Sequence, residues 1–297
     1  MTNKPLLSLA VAIGSLTFAS MASAQSLLPK PQSFTAGKGV FSESSAGYRV
    51  VNEAGHEAEN IYSKPWIDKN NPSARQVVLF RRITDRGKLS PEAYRLHVTK
   101  DSLVISAASA DAFRYAWQTI AQLTTKKGIM ACDIKDAPAY KWRSLMLDVS
   151  RHFFPIDFLK KQIDVMAQYK FNRFHIHLTD AAGWRMEIKR YPRLTNLAAW
   201  RPGSTWKEWN DNGNKYVPEG TDGAYGGYYT QDQLRDLVRY AAERGITIVP
   251  EIEMPGHSEE VLTAYPELSC THEPYKQSDF CPGSVATYDF LENVLKE

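Results

Sequence analysis

Residues 144–149 read SLMLDV, an almost uninterrupted apolar run that governs how the following part of the chain is interpreted. Such a run is typical of a strand that is buried on both faces of a parallel sheet. Two similar runs follow, FNRFHIHL at 171–178 and ITIVPEIEM at 246–254, and helical patterns separate the three. A strand–helix–strand–helix–strand order with right-handed crossovers predicts a parallel sheet or a barrel.

The two intervening helices have recognisable ends. Asp157 is placed to cap the first helix, and Thr230 with Gln233 forms a T-x-x-Q capping box at the start of the second. Gly245 follows the second helix and is expected to close it. No glycine-rich phosphate turn follows the first strand, which favours a barrel over an open doubly wound sheet.

Residues 25–138 show a different pattern. YRLHVT (94–99) and SLVISA (102–107) alternate apolar and polar residues around a Lys-Asp turn, which predicts a β-hairpin, and Ser109 then caps an amphipathic helix. We therefore predict an α/β chain with a small N-terminal α+β support domain at 25–138. Residues 139–297 are predicted to form a parallel sheet or a barrel from three βα units.

The N-terminal residues 1–24 have the features of a secretory signal peptide: Lys4, a diluted apolar stretch and a small-x-small ending at 22–24. The apolar stretch is short against the ~20 residues that a bilayer span needs, so we expect no membrane anchor. We expect export to the periplasm or the medium. The formal charge of +3 is small, and nothing in it indicates a nucleic-acid partner.

Export affects the interpretation of the three cysteines, because an oxidising compartment lets thiols pair. Cys270 and Cys281 bracket a short polar loop and are candidates for a disulfide, although spacing alone does not establish one. Cys132 is interpreted as a small buried apolar residue. No C-x-x-C pair indicates zinc or thiol redox chemistry.

Polar clusters follow all three predicted strands, which is where a barrel carries its chemistry. They contain Arg151 after the first strand, Asp180 after the second and His257 after the third. A carboxylate can fix the tautomer of a histidine, and an arginine fork suits hydroxyls or a carboxylate. The alternative is that the three residues only tie barrel loops together, and the sequence leaves both interpretations open.

The pair His175 and His177 allows a metal-site interpretation, since both side chains point the same way from a strand and imidazole is a common metal ligand. However, only His257 and His272 follow later in the chain, and a closed ligand set cannot be assembled. The residues therefore disfavour a metal site. The two histidines are better interpreted as buried, hydrogen-bonded residues of the barrel interior.

The connection at 179–229 is too long for an ordinary βα loop, and long loops in compact domains are commonly functional. It is rich in aromatic residues, and disordered segments are poor in them, so we expect a packed loop. Their faces can line a sugar pocket or pack the loop onto the barrel rim. They are Trp184, Trp200, Trp206, Trp209, Tyr216, Tyr225, Tyr228 and Tyr229.

Three long motifs in order resemble the catalytic barrel of glycoside hydrolase family 20, the β-N-acetylhexosaminidases. They are WRSLMLDVSRHFFP, KFNRFHIHLTDAAGWRMEIKRYPRLT and YTQDQLRDLVRYAAERGITIVPEIEMPGHS. LLPKPQSFTAGKG and the segment from YRLHVT to IAQL resemble the α/β domain that precedes that barrel. The likeness covers nearly all of the chain after residue 24.

The resemblance implies exo-acting removal of terminal β-linked GlcNAc or GalNAc from glycans or chitooligosaccharides, with retention of configuration. The substrate's own acetamido group is the nucleophile in this family, for which the two-carboxylate scheme does not hold. By motif, Asp180 and His257 are the supporting pair of the acid, and Arg151 and Trp184 bind substrate. The resemblance implies no metal and no organic cofactor. Carbohydrate is the only partner implied, and no oligomeric state is indicated.

The sequence departs from the family pattern in TDAAGW, where TDDQGW is common, and in EIEMPGH, where EIDMPGH is common; neither touches Asp180 or His257. The family's catalytic aspartate–glutamate pair belongs to a Gly-Gly-Asp-Glu-like motif, which these 297 residues do not contain. The resemblance implies that residues 139–297 form the first three βα units of a (β/α)8 TIM barrel, which is incomplete because such a barrel takes ~250 residues. We expect a chain cut inside its barrel and inactive by itself. The alternative is a noncatalytic carbohydrate-binding pseudoenzyme; a metal hydrolase ranks third.

Overall fold

The computed structural model describes residues 27–42, 45–55, 69–84, 87 and 89–297. The predicted signal peptide lies outside these residues. In the described part of the chain, no helix has both the length and the apolar character that a membrane crossing requires.

The described residues of the first part of the chain form a seven-stranded mixed sheet, and a long helix, α1 (Ala110–Leu123), packs against it. The strands in chain order are β1 (Ser33–Phe41), β2 (Arg49–Asn52), β3 (Val77–Arg82), β4 (Tyr94–Val98), β5 (Ser102–Ala107), β6 (Thr124–Thr125) and β7 (Gly128–Asp136). The sheet order is β1-β7-β4-β5-β3-β2, and β6 pairs with β7. The predicted hairpin is confirmed, since β4 and β5 pair antiparallel. Ser109 caps α1 as predicted, with its side chain accepting from the backbone N–H of Ala112.

The second part is built on a parallel sheet of three strands, in the order β14-β9-β8. These are β8 (Ser144–Asp148), β9 (Arg173–His177) and β14 (Thr247–Glu251), the three strands that the apolar runs predict. Helix α2 (Ile156–Gln168) connects the first two, and α5 (Gln231–Glu243) precedes the third. The mixed α/β class is thus confirmed, and an eight-stranded barrel stays a prediction.

Shorter elements fill the connections after β9 and β14. They are β10 (Thr179–Asp180), β11 (Gly183–Trp184), α3 (Arg193–Asn196), β12 (Trp200–Pro202), α4 (Trp206–Asp211), β13 (Ala224–Gly226), α6 (Glu259–Ala264), a 3-10 turn (Pro266–Leu268) and α7 (Val285–Lys296).

The predicted helix ends are confirmed at α5 and wrong at α2. Thr230 and Gln233 form both hydrogen bonds of the capping box, and Gly245 follows the helix with a φ of +71°, which favours glycine. At α2 the N-cap is Pro155, with no side-chain cap, and Asp157 lies inside the first turn. Its negative charge still favours the helix there through the macrodipole.

The predicted cysteine states are confirmed. Cys270 and Cys281 form a disulfide, with their Cα atoms 4.9 Å apart. Cys132 is a buried free thiol on β7, and burial raises its pKa to about 11. A thiolate is therefore disfavoured, and this residue acts as a small apolar group in the sheet core.

A buried polar network joins the two parts of the chain. Lys170, which precedes β9, donates to the Asp136 carboxylate (3.1 Å) and to the Tyr94 hydroxyl (2.8 Å). Arg143, just before β8, pairs with Glu92 at 2.7 Å. Because the charges are mutually satisfied while buried, breaking either pair would leave an uncompensated group, so the support domain fixes the amino-terminal end of the parallel sheet.

Candidate active site

Asp180 is the centre of the polar cluster at the carboxyl end of the parallel sheet. It is buried on β10, and its carboxylate lies 2.6 Å from Nη2 of Arg151, 2.9 Å from Nε2 of His177 and 3.5 Å from Nδ1 of His257. The backbone N–H of Ala181 also donates to it at 2.7 Å. The three residues that the strand ends predict, Arg151, Asp180 and His257, are thus brought together.

The environment of Asp180 favours its ionised form. Burial alone would raise the pKa of this carboxyl, but the hydrogen bond from His177 and the charge of Arg151 outweigh it. The pKa is therefore held below its ordinary value. A carboxylate at this position is an acceptor for every neighbour that it contacts.

His177 is a site residue whose role the sequence does not reveal. Its Nε2 bonds Asp180, and its Nδ1 lies 2.8 Å from Glu251, whose carboxylate also contacts Nε2 of His175 at 2.7 Å. Both histidines thus lie on the same face of the sheet, and His177 is buried and hydrogen-bonded as predicted, while His175 is only partly buried. The missed signal is the strand register, because His177 pairs with both Asp148 and Glu251 across the sheet.

The hydrogen bond to Asp180, followed by the contact with Glu251, raises the pKa of His177 from 6.5 to about 9 against the opposing effect of burial. The resulting stabilisation is fully present below about pH 6.5 and is lost as the pH rises through 9. We expect the free energy of unfolding to fall by about 3 kcal/mol over this window. Urea unfolding at a series of pH values measures this decrease.

A His177→Asn variant should remove most of this pH dependence. His97→Asn is the matched control, since His97 also contacts a carboxylate, Asp133, but is well exposed. Its profile should run parallel to that of the unsubstituted protein. Parallel profiles for all three proteins would show that His177 does not carry the stabilisation.

Arg151 presents its guanidinium at the mouth of the site. It bridges Asp148 and Asp180, both at 2.6 Å, and its side chain remains 43% exposed. Its backbone carbonyl accepts a hydrogen bond from the buried Arg201. The Arg151 guanidinium is thus held by two carboxylates and its backbone by Arg201, while part of the guanidinium remains open to a ligand.

His257 lies on the opposite side of Asp180 and is largely exposed. Its backbone has a φ of +54°, an unusual conformation for a residue with a side chain and one that is enriched at functional sites. Asp180 contacts both histidines. Its contact with His257 is 3.5 Å long, and its contact with His177 is shorter, at 2.9 Å.

The prediction that Trp184 binds substrate is wrong for this structure. The residue is 1% exposed, and its indole N–H donates to the backbone carbonyl of Met186. Its ring belongs to the apolar cluster that includes Val261 and Leu262 of α6. A ring covered on both faces cannot stack on a sugar, and Trp184 instead packs the long loop against the following helix.

A cavity of about 570 Å³ opens beside the polar cluster. Arg151, Asp180 and His257 form its polar side. The 179–229 connection and the disulfide loop line its other side with both polar and aromatic residues; the rings are Trp206, Trp209, Tyr216 and Tyr275. Trp209 and Tyr216 are buried, which confirms that the long connection is packed.

Arg185 fixes the shape of the long connection, and the sequence gives no signal for this role. It is fully buried, and among the described residues no carboxylate pairs with it; its guanidinium donates to backbone carbonyls instead. These belong to Val149, Ser150, Ala182, Ala199 and Gly227. Burial lowers its pKa to about 10.

Within the described residues, one group of side chains has the spacing to hold a metal ion: His177, Glu251 and Glu253, with ligand atoms within 4.8 Å of one another. Both ring nitrogens of His177 already bond carboxylates, so a metal would have to displace one of them. The expectation that the site uses no metal stays a prediction.

Comparisons with known proteins assign both parts of the chain to the same family. The family model for the catalytic domain of glycosyl hydrolase family 20 matches residues 140–297, and the model for domain 2 of that family matches residues 24–137. A β-hexosaminidase of Vibrio furnissii is 36% identical over 294 residues, which cover 92% of this chain and 46% of that protein. A β-hexosaminidase of Porphyromonas gingivalis is 39% identical over 228 residues, which cover 70% of this chain and 27% of that protein.

A solved structure shows the same likeness in three dimensions. The family 20 exo-β-N-acetylglucosaminidase of Vibrio harveyi, in complex with N-acetylglucosamine, superimposes with a TM-score of 0.74 and 32% identity. The match covers 94% of this chain and 45% of that one. The chain thus spans less than half the length of each of these three proteins. From its domain matches and its structure, the chain belongs to glycosyl hydrolase family 20.

Proposed function

We propose that this chain is part of an exported exo-β-N-acetylhexosaminidase, which releases terminal β-linked GlcNAc or GalNAc from glycans or chitooligosaccharides. The observation that carries the proposal is the convergence of Arg151, Asp180 and His257 on one cavity. Relatives named β-hexosaminidase and N,N'-diacetylchitobiase support the activity.

The proposed reaction retains configuration, with the acetamido group of the substrate as nucleophile. Arg151 binds hydroxyls of the terminal sugar, because its fork is partly open while two carboxylates orient it. Asp180 stays ionised and orients His257, which in turn adjusts the proton affinity of the acid. This chain's own contribution is to bind and orient the sugar and to hold the support of the acid.

The acid itself is not among these residues, since the sequence contains no Gly-Gly-Asp-Glu motif. We propose that strands β8, β9 and β14 are the first three of an eight-stranded barrel, and that a fourth strand carries the acid. A polypeptide of residues 1–297 alone should then have no hexosaminidase activity. Three parallel strands with open edges also make aggregation of that polypeptide expected.

Hydrolysis of a chromogenic β-N-acetylglucosaminide by the complete product of the gene tests the activity, and proton NMR of the first-formed anomer tests retention. Arg151→Ala should raise KM by at least about tenfold through loss of charged hydrogen bonds. Arg193→Ala, which removes an exposed arginine paired with Glu267, is the control.

Three outcomes separate the alternatives. Sugar binding without turnover by the complete gene product would favour a carbohydrate-binding pseudoenzyme. Neither binding nor turnover would overturn the proposal. Turnover by purified residues 1–297, well above a mock preparation, would show that the acid lies within this chain.

We also propose that residues 1–24 direct export. Amino-terminal sequencing of the protein recovered from the periplasm or medium should then begin at Gln25. A protein that is retained in the cytoplasm with residue 1 or 2 at its amino terminus would contradict this.

A further inference from the structure

The two parts of the chain carry net charges of opposite sign. Residues 25–138 contain 16 lysines and arginines against 11 aspartates and glutamates, and residues 139–297 contain 19 against 22, which gives net charges of +5 and −3. The field of a basic domain attracts anionic partners and raises their rate of association. The support domain is therefore the part of the chain where an anionic partner is expected to bind.

Some of this positive charge is arranged in a line across one face of the sheet of the support domain. The strand register places five side chains next to one another on β1, β7, β4, β5 and β3. They are Ser33, Lys135, Arg95, Ser106 and Arg81, here called the basic stripe. Helix α1 packs on the opposite face, where its Thr119 contacts Tyr94, the chain neighbour of Arg95. The stripe thus faces away from the helix, and its three cations are exposed.

Two of the cations repel each other. Lys135 and Arg95 are directly opposite on β7 and β4, and like charges at such a position destabilise a sheet. Among the residues that the structure describes, no carboxylate forms an ion pair with either of them; Asp133, two residues before Lys135, contacts His97 at 2.5 Å instead. An anionic group bound between Lys135 and Arg95 would remove the repulsion. The pair therefore favours an anionic ligand.

The basic stripe also indicates the shape of that ligand. It crosses four strand spacings, so it is ~19 Å long, and it lies on an open face rather than in a cavity. The arginine forks suit the oxygens of anionic groups, and the two serines add hydroxyls for neutral hydrogen bonds. Arg81 contacts Glu53 at 2.9 Å, but this pair is exposed and contributes little stability, so a ligand can take the place of Glu53. The stripe thus suits an extended chain that carries repeated anionic groups and hydroxyls.

Two other kinds of polyanion fit this face less well. The structure describes every residue of the five strands, and none of their large apolar side chains is exposed. Insertion into a membrane interface requires such side chains. The stripe also contains no aromatic ring on which the bases of a single-stranded nucleic acid would stack.

We propose that the basic stripe binds an anionic polysaccharide. The anionic groups of an extended sugar chain would pair with Lys135, Arg95 and Arg81, and its hydroxyls would contact the two serines. The stripe shares no residue with the cavity beside Asp180. The support domain therefore has a binding function of its own, which goes beyond the proposed hydrolysis of terminal sugars and does not depend on it.

The test is a titration of the complete gene product with dextran sulfate and with neutral dextran of the same length. We expect binding of dextran sulfate only, and we expect it to weaken with added salt, because a densely charged chain releases counterions when cations bind it. The double variant Arg95→Gln/Lys135→Gln should raise the Kd for dextran sulfate by about tenfold and make the salt dependence less steep.

The matched control is Lys126→Gln/Lys127→Gln, which removes the same charge from the same domain. Both lysines are exposed in the turn between β6 and β7, at the opposite end of β7 from Lys135. This variant should change the Kd by less than about twofold. Both double variants should keep kcat/KM on a chromogenic β-N-acetylglucosaminide, because none of the four residues lines the cavity. The Arg95→Gln/Lys135→Gln variant should also fold stably, since it removes a repulsion.

Three outcomes would overturn the proposal. Equal Kd values for the two double variants would show that net charge, and not the basic stripe, attracts the polymer. No binding of dextran sulfate at low salt, or equal binding of both dextrans, would exclude an anionic polysaccharide. Loss of binding to phosphatidylglycerol vesicles in Arg95→Gln/Lys135→Gln, with dextran sulfate binding kept, would assign the stripe to a membrane surface. Hydrolysis of the small substrate is measured separately, so these outcomes leave the proposed function unaffected.

Discussion

Replacing Asp180 with asparagine is expected to lower kcat/KM of the complete gene product by about a hundred- to thousandfold. The variant keeps the volume of the side chain but removes its charge. Arg151, His177 and His257 all contact this carboxylate, so one substitution weakens three interactions. His177 contacts Oδ2 of the carboxylate and His257 contacts Oδ1, and the amide replaces one of these two oxygens with a donor, so one of the two histidines loses its acceptor.

Hydrolysis of a chromogenic β-N-acetylglucosaminide, with kcat and KM determined separately, measures the effect. Asp164→Asn is the matched control, because Asp164 also pairs with an arginine, Arg244, but lies on helix α2. Its kcat/KM should stay within about twofold of the unsubstituted value. An Asp180→Asn enzyme that is similarly active would show that the aspartate only joins loops, the alternative that the sequence leaves open.

Arg185→Met is expected to lower the free energy of unfolding by about 4 kcal/mol or more. Methionine fills a similar volume, but it leaves the carbonyls of five residues without the donor that they share. Arg185→Lys should recover only part of the loss, because an ammonium cannot reproduce the planar fork. Urea unfolding and limited proteolysis of the 179–229 connection measure the two effects.

Arg193→Met serves as the control for Arg185→Met. Arg193 is about half exposed and pairs with the exposed Glu267, so its replacement should change stability by no more than about 1 kcal/mol. Equal stability of the Arg185 and Arg193 variants would mean that water replaces the buried guanidinium without penalty. The carbonyl network would then not organise the loop.

The features that local sequence determines could be predicted. SLMLDV contributes β8 because an apolar run of this length favours a strand by itself, although the strand is only partly buried and Met146 is 55% exposed, so burial on both faces was a wrong expectation. The capping box of Thr230 and Gln233 is likewise formed between residues three apart. Arg151, Asp180 and His257 meet because parallel strands carry their carboxyl ends to one edge.

The remaining site features depend on tertiary packing, which short patterns do not encode. Trp184 and Trp206 lie in the same connection, yet one is buried in a core and the other faces the cavity. The carbonyls bound by Arg185 lie between 3 and 42 residues away from it in the chain. His177 lies closer to Asp180 than His257 does, and its position is set by the pairing of the strands. Only the sheet register could therefore have shown that His177 is the nearer of the two histidines.

The four aromatic rings in contact along the cavity, Trp206, Trp209, Tyr216 and Tyr275, form an aromatic row that also has a consequence for how the molecule reaches its native state. Tyr216 and Tyr275 are 59 residues apart, and helix α5 and strand β14 lie between them. Closing so long a segment of chain carries an entropic cost, so the ring pair is expected to form after the local hairpins and helices. Substitutions in the row should then mainly accelerate unfolding and leave the folding rate almost unchanged. The cavity is a product of late assembly, and grafting either loop alone onto another scaffold would not reproduce it.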